Sequence, residues 1–409
     1  MASAKAAKEG FEVSGWVDTL GGLISRHQRF WIRLGDLETR MIADDLSGIP
    51  VEAPIYVSGL ARSGSTILLE ALARHEHTAT HRYKDYPPVF TPYFWNWFLE
   101  RAQKREGPAV ERSHKDGIAI TPESPEAFEE VLWMAFFPDL HDPAASAVLD
   151  HKTRHPEFEA FYRDHIRKLL RVRGAARYLA KANYNVTRLG YLLEIFPDAR
   201  FVVPVREPVW HVASLMKQHA LFCEAGTADP RARAHLQRVG HFEFGLDRRP
   251  VNLGDADGIR RIMDLWESGA EVEGWGRYWS QLYGYVADRL EANPRLRDAT
   301  LPVGFEELCR EPHRVLRAVL DHCRLPATDA FVEEQAGRIR FPTYYRPGFS
   351  GEELALIERC TARTAARFGY GDPSGSPADE AAFPSPEITG AAPRGDAAAG
   401  NARAASGHR

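Results

Sequence analysis

Cysteine is scarce in this chain. There are four, Cys223, Cys309, Cys323 and Cys360, with no C-x-x-C pair among them. That excludes a disulfide-built scaffold and a thiolate zinc site, and the four read as reduced thiols. No apolar run approaches the roughly eighteen residues of a membrane span. The densest, "VLWMAFF", fits a buried helix. The opening "MASAKAAKEGFEVSGW" has no apolar centre of a secretory signal, so a cytoplasmic location is expected. A large charge of one sign is missing too. The 52 Lys and Arg against 56 Asp and Glu leave −4. No general affinity for nucleic acid or acidic membrane follows from that, and any anion site must be local.

What is present is a chain of 409 residues, 44% hydrophobic, long enough to bury a large core. Residues 1–48 read as a helical lead-in. Phe30, Trp31, Leu34, Leu37, Met41 and Ile42 are spaced for one apolar face and are expected to pack on the core. "APIYVSGL" then reads as a strand running into a glycine-rich turn, and "STILLEALARHEH" resumes helical spacing. "SPEAFEEVLWMAFF" predicts a helix capped by Ser124 with Pro125 at its first position. "PEFEAFYRDHIRKLLRV" is amphipathic, while "RYLAK" and "RFVVPVR" are buried strands separated by the helix "VTRLGYLLEIFP". Strands alternating with helices predict an α/β fold, a parallel sheet covered on both faces. The polar stretch around 223–264 is expected to be a lid-like insertion in a domain spanning 49–373. The Ala/Gly/Pro/Ser-rich tail, 374–409, is expected to be disordered.

"GLARSGST", Gly59 to Thr66, has the spacing of a phosphate-binding loop with Ser65 where the lysine of a nucleoside triphosphatase stands. A glycine-rich turn feeding a helix points backbone N–H groups at one spot and binds an oxyanion whatever its side chains. Arg62 supplies the charge that Ser65 cannot. Such a loop suits an anion with fewer charges than a triphosphate–magnesium complex, and a sulfuryl group fits. "FVVPVREPVWHVAS" supplies a second candidate: Arg206 ends a strand, Pro208 opens a helix, and Ser214 lies about two turns into it. Either stretch alone also fits an ordinary strand-to-helix junction.

Together, "RSGST" after the first strand and "REP…S" after a later one resemble the sulfotransferases that use 3′-phosphoadenosine-5′-phosphosulfate (PAPS). The segments "YLAKANYNVTRLGYLLEIFPDARFVVPVREP" and "LPVGFEELCREPHRVLRAVLDHCRLP" extend the resemblance over roughly residues 50–370. It implies a three-layer fold with a central parallel sheet, of the P-loop NTPase-like kind. It implies that Arg62, Ser63, Gly64, Ser65 and Thr66 hold the 5′-phosphosulfate and that Arg206 and Ser214 hold the 3′-phosphate. Lys181, closing "RYLAK", matches the lysine that many family members place by the sulfuryl group.

The chain departs from the phenol and steroid branch, which has a catalytic histidine two residues after that lysine; here stands Asn183. In the bacterial carbohydrate-type and tyrosylprotein-type branches an acidic base lies near "THRYKDYPPVF". Asp85, beside Lys84, is the matching carboxylate, with His81 competing and Glu70 read as solvated. The late "FPTYYRPGFSGEE" resembles a loop that closes over the 3′-phosphate through Arg346 and Gly348, or is simply a helix start capped by Ser350. His75, His77 and His81 straddle a helix end without cysteines or carboxylates, and no metal is expected. Aromatic stretches containing Trp95, Trp97, Trp275 and Trp279 line the acceptor pocket or simply fill the core. The expected acceptor is a small molecule, lipid or carbohydrate. The alternatives are a P-loop small-molecule kinase, which would need Mg²⁺, and a non-catalytic nucleotide-binding relative.

Overall fold

The computed structural model describes residues 13–102, 110–111, 119–342 and 345–371. The expected tail, 374–409, lies outside them. In chain order the strands are β1 (Ile55–Val57), β2 (Thr78–Ala79), β3 (Val110–Glu111), β4 (Ala119–Ile120), β5 (Arg177–Lys181), β6 (Arg200–Val205) and β7 (Thr300–Gly304). β3 and β4 pair with each other; the rest form one five-stranded sheet, β2-β5-β1-β6-β7, with every neighbour parallel. The chain leaves β1 toward one edge and β6 toward the other. The order therefore reverses between β1 and β6, where the loops at the strand ends open a crevice.

The strands are apolar on both faces because both are covered. Tyr56 and Phe201 stack at 5.8 Å in one core, while Ile55, Val57 and Val202 belong to a second core on the opposite face. The expected three-layer α/β architecture is therefore present.

The helices used below are α1 (Gly15–Arg26), α2 (Gln28–Met41), α3 (Ser65–Ala73), α4 (Pro92–Arg101), α5 (Glu129–Phe136), α6 (Pro156–Arg173), α7 (Leu189–Ile195), α8 (Pro208–Ala228), α9 (Pro230–Val239), α10 (Ala256–Glu267), α11 (Glu271–Ala292), α12 (Phe305–Arg310), α13 (Pro312–His322), α14 (Asp329–Ala336) and α15 (Gly351–Ala366). Residues of α3, α13 and α14 build the smaller core. Residues of α5, α6, α7, α8 and α11 build the larger one. Among the described residues no helix is long and apolar enough to cross a membrane.

Three sequence expectations change. Helix α5 begins at Glu129 rather than after Ser124. The Ser124 hydroxyl accepts the Thr121 N–H instead (3.0 Å), and Pro125 bridges to Arg82, so that stretch is spent on a turn. The 223–264 stretch is largely helical, because α8 runs on to Ala228 and Asp229 and Asp255 cap α9 and α10. The apolar stripe of the lead-in turns partly outward: Phe30, Leu37 and Met41 are 60%, 42% and 66% exposed.

Candidate active site

The site is built on the turn after β1. Ser58 fastens it to both neighbouring segments, its N–H donating to Val202 O (3.0 Å) and its hydroxyl to Ala182 O (2.9 Å). Gly59 passes so close to β6 that a Cβ would meet Pro204 O at 2.9 Å. Arg62 sits in the left-handed region (φ 72°). Gly64 follows at φ 102°, with the Phe305 ring 2.5 Å from where a Cβ would stand. Helix α3 starts at once, and its first intrahelical bond is Leu68 N–H to Gly64 O. The N–H groups of Ser65, Thr66 and Ile67 thus head a nine-residue helix, where backbone donors and the helix dipole favour an anion.

The second loop holds the first. His211 Nε2 donates to Ala61 O (2.8 Å), and its Nδ1 accepts the Trp279 indole N–H (3.1 Å), which fixes the neutral tautomer. Burial pushes His211 down to about 3, with Arg206 and Arg62 adding repulsion. Arg206 Nη1 donates to Arg62 O (3.3 Å), and the Arg62 Nε donates to the Ser214 hydroxyl (3.3 Å). The two predicted cradles are therefore one continuous cationic wall. Lys217 extends it, its ammonium lying 5.2 Å from the centroid of the Tyr345 ring.

Arg206 is buried over the Phe305 ring and donates through Nη2 to the Tyr345 hydroxyl (2.6 Å), which in turn donates to Trp210 O (3.2 Å). Its Nε has no hydrogen-bond partner, the nearest carboxylate oxygen being Glu306 Oε1 at 3.9 Å. Glu207 caps α8 by accepting the Trp210 N–H (2.9 Å), and burial raises it to about 7, with Glu306 adding to the shift. Lys181 closes β5 in register with Val57, beside the loop. Arg346 is exposed, on the segment that brings in Tyr345, and Ser350 caps α15 through a reciprocal bond with Glu353. Trp275 and Trp279 are core, Trp95 is half-buried and Trp97 exposed.

Asp85 faces inward. It is 1% exposed and accepts from Arg173 Nη2 through both oxygens (2.6 Å each), from Asn96 (3.1 Å) and from the Arg82 N–H (2.8 Å). Burial alone would raise its pKa, but His81 and Arg173 hold the carboxyl well below the usual range. His81 is buried against His165, ring to ring at 5.1 Å. Neither group has a face open to an acceptor. His75 and His77 share a hydrogen bond (3.2 Å) apart from this cluster. Among the described residues no three His, Cys, Asp or Glu side chains are grouped to hold a metal.

A different pair stands beside the end of β5. Asn183 donates to Glu243 Oε1 (2.7 Å), whose Oε2 faces His241 Nδ1 at 3.4 Å. Glu243 is buried, and His241 is 23% exposed. Burial would raise Glu243, yet hydrogen bonds from His241 and Asn183 bring it down to about 2. The sequence reading missed this pair along with His211 and Tyr345. The signal available was an acid two residues from a histidine in "GHFEFG".

Residues 54–247 match the profile of the sulfotransferase family, which supports that family for this chain. The matched stretch contains both loops, Lys181 and the His241–Glu243 pair. No curated protein matches. Solved structures similar to this chain include three bacterial sulfotransferases. One from Mycobacterium avium is 16% identical, covering 80% of each chain at a TM-score of 0.45. One from Mycobacterium tuberculosis is 15% identical, covering 83% of this chain and 84% of its own, at 0.41. One from Alicyclobacillus acidocaldarius is 12% identical, covering 78% and 95%, at 0.36.

Proposed function

We propose that the protein transfers a sulfuryl group from PAPS to a hydroxyl of a small-molecule, lipid or carbohydrate acceptor. The observation that carries this reading is the junction of Arg62, Ser214 and Arg206 at the sheet's switch point. A loop without the triphosphatase lysine suits the 5′-phosphosulfate. A buried arginine whose Nε lacks a hydrogen-bond partner suits a further phosphate, which ATP does not have.

In this reading the N–H groups heading α3, with Arg62 and Lys181, face the charge that builds on the sulfuryl and bridging oxygens. The acceptor oxygen bonds to sulfur as the bond from sulfur to the 5′-phosphate oxygen breaks, releasing the 3′,5′-bisphosphate. His241, oriented by Glu243, takes the hydroxyl proton. Two facts support that assignment: Asn183 ties the pair to the strand that ends in Lys181, and Asp85 is sealed inside the protein.

Thermal unfolding with three nucleotides tests the donor. The 3′,5′-bisphosphate should raise Tm well above the effect of adenosine 5′-phosphosulfate, which lacks the 3′-phosphate, and Arg206→Ala should erase the difference. Equal stabilisation by ATP–Mg²⁺ would instead favour a kinase. Transfer of label from PAPS to a panel of alcohols and sugars then separates an enzyme from a binding relative.

A further inference from the structure

Helix α2 carries an apolar stripe that the fold leaves outside. Its inner face is Ile32, Gly35, Glu38 and Ile42, all buried. Glu38 is held there by Lys168 (3.0 Å) and by the Phe94 N–H (2.6 Å), and Gly35 lies so close to the Phe90 carbonyl that a Cβ would meet it at 2.7 Å. With that face committed, Phe30, Leu37 and Met41, at i, i+7 and i+11, point the other way and stand in solvent. Arg29, Arg33 and Arg40 are exposed along one side of the stripe. Of the acidic groups near it, Asp36 lies beside Arg40 and close to Glu157 and Asp164, Asp164 is paired with Arg167 at 3.0 Å, Asp44 follows the helix, and Asp45 is paired with Arg171 at 3.5 Å.

We propose that this outer face of α2 is a docking surface for an anionic phospholipid bilayer. A helix with an apolar stripe flanked by arginines lies flat in the interface, apolar side chains among the acyl chains and guanidinium groups at the phosphates. Charge complementarity selects this occupant. In a chain of net charge −4, a stripe bordered by three arginines is matched by lipid phosphates, whereas a second copy would bring three more arginines against it. The contacts that seat α2, with Lys168 of α6, Phe94 of α4 and Phe90 just before it, are not with the loops at 58–66 and 206–214.

The test is co-sedimentation of the full chain with vesicles of phosphatidylglycerol and phosphatidylcholine, and with phosphatidylcholine alone, at 150 mM salt. Binding is expected to the anionic vesicles only and to weaken at least tenfold at 500 mM salt. The triple variant F30S/L37S/M41S and the triple variant R29Q/R33Q/R40Q should each lose it by tenfold or more. All six positions are exposed, so unchanged thermal midpoints are expected in both variants. Absence of binding by the unaltered protein would overturn the proposal, as would binding that survives both variants or that is as strong on neutral vesicles. A dimer in gel filtration that the apolar variant splits would assign the face to a second copy instead.

Discussion

A carboxylate can act as a base only where a lone pair faces the acceptor, and Asp85 turns its lone pairs to Arg173, Asn96 and the Arg82 N–H. These bonds join the turn after β2 to α4 and α6. Asp85→Asn leaves the Arg173 guanidinium, 4% exposed, without its counter-charge and is expected to lower stability by about 3–5 kcal/mol. Because the folded pKa is depressed, this stabilisation is complete above the ordinary carboxylate range and is lost as pH falls below it. His241→Ala should act on turnover, which falls about 10²–10⁴-fold for any accepted alcohol while bisphosphate affinity holds. Urea unfolding, product titration and kcat on both variants make the comparison. An Asp85→Asn protein of normal stability that had lost only turnover would return the base to Asp85.

At the scale of an element, α8 concentrates the site. It carries its cap Glu207, then Trp210, His211 and Ser214, and its N-terminus abuts the first loop. Burial raises the Glu207 carboxyl from 4.5 to about 7, so its contribution is full below the unfolded value and is lost as pH climbs through the folded one. Glu207→Gln keeps an acceptor for the Trp210 N–H without the titration. Measured by urea unfolding, the variant should gain about 2–3 kcal/mol on the wild type between pH 5 and pH 8. Parallel pH profiles would refute a buried, titrating cap. What was legible in this element was local: Arg206, Pro208 and Ser214 lie within nine consecutive residues. What was not legible were its long-range partners. Ala61 lies 150 residues from His211, and Tyr345 lies 139 from Arg206. The helix α2 stripe failed for a related reason. Periodicity reveals that a helix has two faces, but here a buried Glu38–Lys168 pair, polar in sequence, marks the inward one.

For the whole molecule, the alternation of strands and helices fixes the parallel sheet, and the order β2-β5-β1-β6-β7 sets where ligands gather. Segments around 58–66, 206–214 and 345 are far apart in sequence and meet only there, with Arg206 bonded to both of the others. A nucleotide with phosphates at both ends would load all three at once, whereas one lacking the 3′-phosphate would load mainly the first. Amide hydrogen exchange reads this directly, since local opening of each segment is reported separately. Saturating 3′,5′-bisphosphate should slow exchange tenfold or more at 63–67, 209–214 and 345–350 together. Adenosine 5′-phosphosulfate should slow the first set and leave the last near its free rate. In Arg206→Ala the bisphosphate should act as the phosphosulfate does on the wild type, because the link from strand end to Tyr345 is gone. Protection confined to the first loop with both nucleotides would mean that Arg206 braces the fold and reads no phosphate.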